Sequence, residues 1–237
     1  MRRYAHTVLR ALAVVALTLI LVGTLRVFDG QEKGEDQQEK LYFPSGTFLV
    51  ESTLGFREVM ADYLWFRFVQ YYGAYAKGQN DFRYFELLID SITKLDPQFV
   101  EAYHFASLVF WSSFGDTGNS INMLKRGIQA NPDTAKLPFQ IGFIYYVMEH
   151  DYNRAAHWFE NAARCSDSSD KESRFAAFAR YKAGDDRVSL ALWEHLYEST
   201  DSPQMKALAV KMIEKLTRKI KQRQIYGDDF IGPIPEL

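Results

Sequence analysis

The chain has 237 residues, of which 47% are hydrophobic and 15% aromatic, and its formal net charge at pH 7 is -2. This length allows one sizeable domain with an appendage, and the near-neutral charge gives no reason to expect a nucleic-acid partner. The single cysteine, Cys165, excludes an internal disulfide, a cysteine-based zinc site and a CxxC redox pair.

The amino-terminal segment has the composition of a membrane signal. Residues 11–25 form an uncharged apolar run, and Arg2, Arg3 and Arg10 precede it. A run of this length suits the core of a cleavable signal peptide, but the flanking residues extend it to 7–28, which is about long enough to span a membrane. Small residues are poorly placed for cleavage, so we favour an uncleaved anchor over a signal peptide.

The arginines before this run predict its orientation. Positive charge is retained in the cytoplasm, so residues 1–6 are expected there. The sequence therefore predicts a single-pass membrane protein whose remaining residues are extracytoplasmic, which means periplasmic in a bacterium. Residues 29–42 are hydrophilic and rich in charge, and we interpret them as a flexible linker.

Residues 43–225 have the pattern of paired helices. Apolar residues recur there at three- and four-residue spacing, and turn signals separate the runs. The turn at Asp96-Pro97 recurs 35 residues later at Asn131-Pro132. A period of this size is typical of stacked helix-pair repeats.

One unit carries a recognisable motif. Ile141-Gly142 is followed by Tyr145, and a second run has Ala155, Phe159 and Ala162 at small, aromatic and small positions. In this pattern the chain resembles the tetratricopeptide repeat family. The resemblance is good across residues 98–166 and loose outside them. Each unit is one residue longer than the usual 34 of that family, which predicts an irregular turn within a pair.

The resemblance implies an all-α fold, an α-solenoid of about four helix hairpins with a capping helix, preceded by one transmembrane helix. We expect the first hairpin at residues 51–75 and 81–97, and a degenerate last hairpin at residues 171–200. The capping helix is expected at residues 204–224. The tail at residues 226–237 is proline-rich and apolar enough to dock on another surface.

The first predicted helix is aromatic on nearly all sides. It includes Trp65, Phe68 and Tyr72 within an almost continuous aromatic run. Such a helix is either buried on most sides or covered by a partner. Both interpretations remain open from the sequence.

Motifs for catalysis are absent from the sequence. It contains no GxSxG, no Walker A loop, no GxGxxG and no HExxH. His150 and His157 are separated by a predicted turn at Asp151, so the two side chains are not expected to share one helix face or one metal ion. We therefore predict no catalytic, cofactor or metal site, and not an enzyme.

The resemblance further implies how partners bind. In that family the first helices of successive pairs line a concave groove that holds an extended peptide or a helix of another protein. Two functions follow: an anchored adaptor or scaffold, or a permanent structural subunit or assembly factor of a membrane complex, such as a secretion or pilus machine. By this analogy the predicted groove residues are Tyr103, Ser107, Phe110, Phe139, Phe143 and Tyr146.

Overall fold

The computed structural model describes residues 49–78 and 83–227, and every regular element among them is helical. The predictions made for residues 1–42 and for most of the carboxyl-terminal tail fall outside this range. The described helices, numbered in chain order, are α1 (Leu49–Ser52), α2 (Arg57–Ala76), α3 (Phe85–Leu95), α4 (Val100–Phe114), α5 (Thr117–Ala130), α6 (Lys136–Ile144), α7 (Tyr152–Ala163), α8 (Asp170–Lys182), α9 (Asp186–Ser199) and α10 (Pro203–Tyr226).

These helices pack as hairpins that stack on one another. Helix α2 packs on α3, α4 on α5, α6 on α7, and α8 on α9. Neighbouring hairpins meet through α5 with α6 and through α7 with α8, and α10 covers α9 at the end of the stack. The predicted all-α solenoid is therefore confirmed over the described part of the chain.

Hydrogen bonds join successive turns of the stack. The Asn131 side-chain amide donates to the Pro97 carbonyl oxygen at 3.1 Å, across 34 positions of the chain. One hairpin further on, the Ala135 N–H donates to the Asp167 carboxylate at 2.7 Å, across 32 positions. Each bond joins the turn that begins one hairpin to the turn that begins the next.

Helix starts lie where the sequence supplies capping side chains. The Asp116 carboxylate accepts the Asn119 N–H at 2.9 Å at the start of α5. Ser169 and Glu172 form a reciprocal capping box at the start of α8. These side chains satisfy backbone donors that have no partner inside the helix, so they define the boundaries of the short helices.

Two glycines allow the closest contacts between helices. A Cβ on Gly142 of α6 would lie 2.7 and 2.8 Å from two ring atoms of Phe159 on α7. A Cβ on Gly127 of α5 would lie 2.8 Å from the Tyr103 ring on α4. Both distances are shorter than real carbon–carbon contacts, so only glycine permits this spacing. Gly142 and Phe159, the small and the aromatic residue of the motif, therefore lie in direct contact.

The turn within the third hairpin is irregular, as the extra residue predicts. Helix α6 continues as a π-helical turn over Tyr145–Glu149, a geometry that accommodates one inserted residue. His150 then has a φ of 52° and Asp151 caps α7. His150 and His157 are thus separated by a turn.

The first hairpin differs from the prediction at its start. A single helix was expected over residues 51–75, but α1 and α2 are separated by a turn in which Leu54 has φ 50° and Gly55 has φ 94°. Helix α2 then buries Phe68 completely, in ring contact with Phe85 of α3 at 5.9 Å between centroids. The large rings of this region form much of the core of the first hairpin.

The predicted localisation, a single-pass membrane protein, is wrong. Within residues 49–78 and 83–227, no helix is both long enough and apolar enough to cross a bilayer. Helix α2 has sufficient length but carries Arg57, Glu58, Asp62 and Arg67, and α10 is rich in lysine and arginine. The segment predicted as an anchor, residues 7–28, lies outside the described residues.

The contact at Gly142 predicts that adding one methyl group there will strongly destabilise the fold. Replacing Gly142 by Ala should reduce the free energy of unfolding by about 1–3 kcal/mol, because the buried Phe159 ring must move to admit the new Cβ. Urea denaturation followed by circular dichroism measures this change.

A matched control is Gly73→Ala in α2, where nothing lies within 4 Å of a Cβ. This variant should gain about 0.5–1 kcal/mol from the higher helix propensity of alanine. Equal effects of the two substitutions would contradict the close approach of α6 and α7.

Candidate functional site

Stacking brings equivalent positions of successive first helices together. The Lys136 ammonium donates to the Glu101 carboxylate at 2.9 Å, and the two residues are 35 positions apart. Lys171 lies one further period along and contacts the ring of Phe139 on the preceding first helix. We call this surface the first-helix face, and its members on α4, α6, the π-helical turn and α8 are Glu101, His104, Leu108, Trp111, Lys136, Phe139, Phe143, Tyr146 and Lys171.

A row of charged side chains crosses this face. Lys136 holds the pKa of the Glu101 carboxyl below its usual value, chiefly through their hydrogen bond. The Lys171 ammonium lies 4.1 Å from the centre of the Phe139 ring and 2.9 Å from the largely buried Glu172 carboxylate. Each lysine therefore has a partner in the chain but remains about half exposed, with 41% and 50% of its side chain accessible.

His104 lies between these charges. Burial lowers the pKa of its imidazole below the usual 6.5, and the positive charges of Lys136 and Lys171 lower this pKa further. A hydrogen bond with Gln140 and the charge of Glu101 act in the opposite direction. At pH 7 the neutral form of the imidazole is therefore favoured, and one of its ring nitrogens can accept a hydrogen bond.

Apolar side chains adjoin the charged row. Phe143 is 36% exposed, and the π-helical turn presents Val147 and Met148 at 40% and 44%. Tyr146 is half-buried, its ring 5.3 Å from that of Tyr152, and burial raises the pKa of its phenol. This part of the face combines partly exposed aromatic rings with adjacent hydrogen-bonding groups, a composition common in protein-binding surfaces.

The predicted site residues divide into two groups. Phe139, Phe143 and Tyr146 lie on the first-helix face, half-buried or exposed. Tyr103, Ser107 and Phe110 lie in the core instead, at 4%, 0% and 6% exposure. Their predicted place in an accessible groove is therefore wrong, because buried side chains offer a partner little surface.

The burial of these three residues has clear causes. The Tyr103 ring fills the space beside Gly127, and Phe110 contacts the ring of Phe85 edge to face at 5.0 Å. The Ser107 carbonyl oxygen accepts a hydrogen bond from the Ser120 hydroxyl at 2.8 Å. All three therefore join α4 to helices behind it.

Their neighbours in the sequence occupy the accessible face. His104, Leu108 and Trp111 are half-buried and lie 35 positions before Phe139, Phe143 and Tyr146. Sequence reasoning missed them because the register of α4 was placed one residue away. The 35-residue period itself was sufficient to find them.

Helix α2 is buried on one side and exposes aromatic rings on the other, so each of the two interpretations of its composition describes part of the helix. Phe68 is fully buried, while Trp65 and Tyr72 are half-buried with their rings 5.8 and 5.0 Å from that of Phe105 on α4. The opposite face exposes Tyr63 at 55% and Phe66 at 61%. One side of the helix is therefore core, and the other is an open apolar surface.

No protein-family model matches the chain, and no curated protein is significantly similar to it in sequence. Among solved structures, the chain is similar to the Sgt2 TPR domain from Aspergillus fumigatus, with a TM-score of 0.42, 14% identity, and coverage of 58% of this chain and 89% of that one. It is also similar to two structures of MamA. Their TM-scores are 0.37 and 0.39 and both are 16% identical, covering 62% and 65% of this chain and 86% and 96% of theirs. The first of these structures is named as a tetratricopeptide-repeat domain.

The surroundings of His104 predict its titration. Its pKa should lie below 6.5, and Lys136→Met should raise it, since a nearby positive charge is removed while Glu101 remains. Titration of the His104 ring signals by NMR measures both values. Lys125→Met, an exposed lysine of α5 outside this face, should leave the pKa unchanged.

The same shift has a consequence for stability. With a folded-state pKa below the unfolded value of 6.5, the folded chain binds fewer protons, so this contribution to stability is present above that pH and is lost as the pH falls. A His104 pKa above 6.5 would contradict the arrangement of charges described here.

Proposed function

We propose that this chain is a protein-binding module that holds a segment of another protein along the first-helix face. The observation that carries the proposal is the alignment, at equivalent positions of α4, α6 and α8, of half-exposed aromatic and charged side chains. A surface of this kind is continuous along the stack, whereas an enzyme site is a concave pocket with few convergent polar groups. The module would serve as an adaptor or scaffold.

The chemistry of the face indicates what it can hold. Phe143 and Tyr146 offer apolar contact, and Lys136 and Lys171 offer donors that can hydrogen-bond to backbone carbonyls or carboxylates. Rows spaced by the helix stack would contact a bound segment at several points. An extended peptide or one face of a helix fits such a surface.

A permanent structural subunit is a second candidate, and α2 provides the observation that favours it. Besides Tyr63 and Phe66, this helix exposes Val59 and Val69 at 64% and 43% on the side away from the core. An apolar surface of this kind marks interaction sites when its members adjoin. A chain that stays in a complex through α2 could still use its first-helix face.

A site-specific crosslinker tests the proposal directly. A photo-reactive phenylalanine analogue at position 143 should capture a partner in its native cells, because this side chain is 36% exposed on the face. The same analogue at Tyr197 on α9, which is 43% exposed, is the matched control. Mass spectrometry of the crosslinked products identifies the partner and the attached residue.

The proposed function predicts a partner captured from position 143 and not from position 197. Substitution of Lys136 and Lys171 by Met should reduce that capture several-fold while the circular dichroism melting curve changes little, since both lysines are about half exposed. The same capture from both positions would contradict the assignment of the face. If a partner were captured only from position 66 on α2, and in a fixed ratio to this chain, the structural-subunit alternative would be favoured.

A further inference from the structure

The outer side of α2 carries a row of exposed apolar side chains. They follow one another at three or four positions, so they lie on one side of the helix. The side that faces the core holds the buried residues Ala61, Leu64, Phe68 and Tyr71. We call the exposed row the α2 stripe, and its members, each 43–69% exposed, are Phe56, Val59, Tyr63, Phe66 and Val69.

The α2 stripe is large enough to form the centre of an interface. A whole aromatic side chain presents roughly 150–250 Å², so the exposed fractions of Phe56, Tyr63 and Phe66 amount to roughly 350 Å². The two valines extend this area, and so does the neighbouring Leu54, which is 87% exposed. Monomeric proteins rarely expose an apolar patch larger than a few hundred Å², and a stable interface takes about 800 Å² from each partner. With a polar rim around it, the stripe reaches the size that a dimer needs.

The spacing of the α2 stripe favours another helix as its occupant. Apolar residues that alternate at three and four positions form the seam along which two helices pack side by side. Helix α2 has 20 residues, so it offers a seam roughly 30 Å long. A helix of similar length can place its own side chains between those of the stripe.

The order of side chains along the stripe suits a second copy of the same helix. A two-fold axis between positions 62 and 63 places Phe56 opposite Val69 of the other copy, and Val59 opposite its Phe66. Each phenylalanine ring then faces a smaller side chain, and the two Tyr63 rings lie beside the axis. A two-fold interface requires a surface that is complementary to itself in this way.

The charges of the two ends of the stack favour contact of α2 with α2. Helix α2 has no net charge, since Arg57 and Arg67 balance Glu58 and Asp62. Two copies of it therefore meet without net repulsion. Helix α10, at the other end of the stack, is basic, and a head-to-tail contact would place its charges on the apolar stripe of the next copy. The exposed cations of α10 are Lys206, Lys211, Arg218 and Lys221.

We propose that α2 packs antiparallel against α2 of a second copy, so that the chain is a two-fold dimer joined at the α2 stripe. The exposed side of α2 then has a second copy as its partner, in place of the different subunit considered above. The first-helix face lies on α4, α6 and α8, so each copy keeps one. A dimer with two such faces can hold two segments at once.

Photo-crosslinking of the full chain in its native cells tests the proposal. Two copies with different tags are produced together, and a photo-reactive phenylalanine analogue replaces Phe66 in one of them. The product should have the mass of two chains and carry both tags, and tandem mass spectrometry should place the attachment within residues 56–63 of the other copy. The analogue at Tyr197 on α9, which is 43% exposed, should give no such product.

Other outcomes of this crosslinking would overturn the proposal. These are attachment within the same chain, attachment to a different protein, attachment elsewhere on the second copy, and no product from position 66. The result is independent of capture from position 143, which tests the first-helix face. Failure of the dimer and failure of the proposed function are therefore distinguishable.

A buried charge tests the contact itself. Val59→Glu in both copies should reduce the yield of the dimer product several-fold, because each carboxylate would be placed in an apolar contact. Val188→Glu is the matched control, since Val59 and Val188 are each the third residue of a helix and both are exposed. The control should leave the yield unchanged, and melting curves should show that both variants fold. An undiminished yield in Val59→Glu would rule out this contact.

Asp62→Asn tests the direction of packing. Antiparallel packing brings the two Asp62 carboxylates to the same side of the two-fold axis, where like charges repel each other. Removal of both charges should therefore raise the yield of the dimer product. Parallel packing would separate these carboxylates on opposite sides of the seam, so an unchanged or lower yield would contradict the antiparallel arrangement.

Discussion

The closeness of the two helices in a hairpin determines how the whole chain is arranged. At Gly142 the Phe159 ring occupies the space where a side chain would begin, and at Gly127 the Tyr103 ring does the same. These contacts set the spacing between helices, because a larger residue at either glycine would force them apart. Turn-to-turn hydrogen bonds then repeat that arrangement from one hairpin to the next. Together these contacts hold the first helices of successive hairpins in register.

Because the first helices are in register, side chains at equivalent positions of successive helices form one surface. Glu101 and Lys136 meet because equivalent positions of α4 and α6 face each other, and Lys171 reaches Phe139 for the same reason. Along each first helix the face changes from a charged residue, Glu101 or Lys136, to an aromatic one, Trp111 or Tyr146. A surface that varies along its length can select one direction of a bound segment.

The sequence predicts the fold well and the site only in part. Turn signals at Asp96 and Asn131, with small residues spaced along the helices, are local features, so the hairpins and their period could be predicted. A shift of one residue in the register of α4 decides which of its side chains are accessible. Tyr103 and His104 both suit an accessible position by residue type, and only the packing of α4 against its neighbours shows that Tyr103 is buried. The buried Asp186 was not predicted as a site, because its carboxylate pairs with Lys219 and Arg223 of the capping helix across 33 and 37 positions, and no local pattern indicates such contacts.

The register of the first helices can be measured by zero-length carbodiimide crosslinking followed by peptide mass spectrometry. This chemistry joins a carboxylate to an ammonium group only when the two are in contact. The account predicts an amide between Glu101 and Lys136, with the Asp90–Lys94 pair inside α3 as the internal positive control. A map that contains the control pair but joins Glu101 only to lysines outside α6, or to none, would contradict the stacked register.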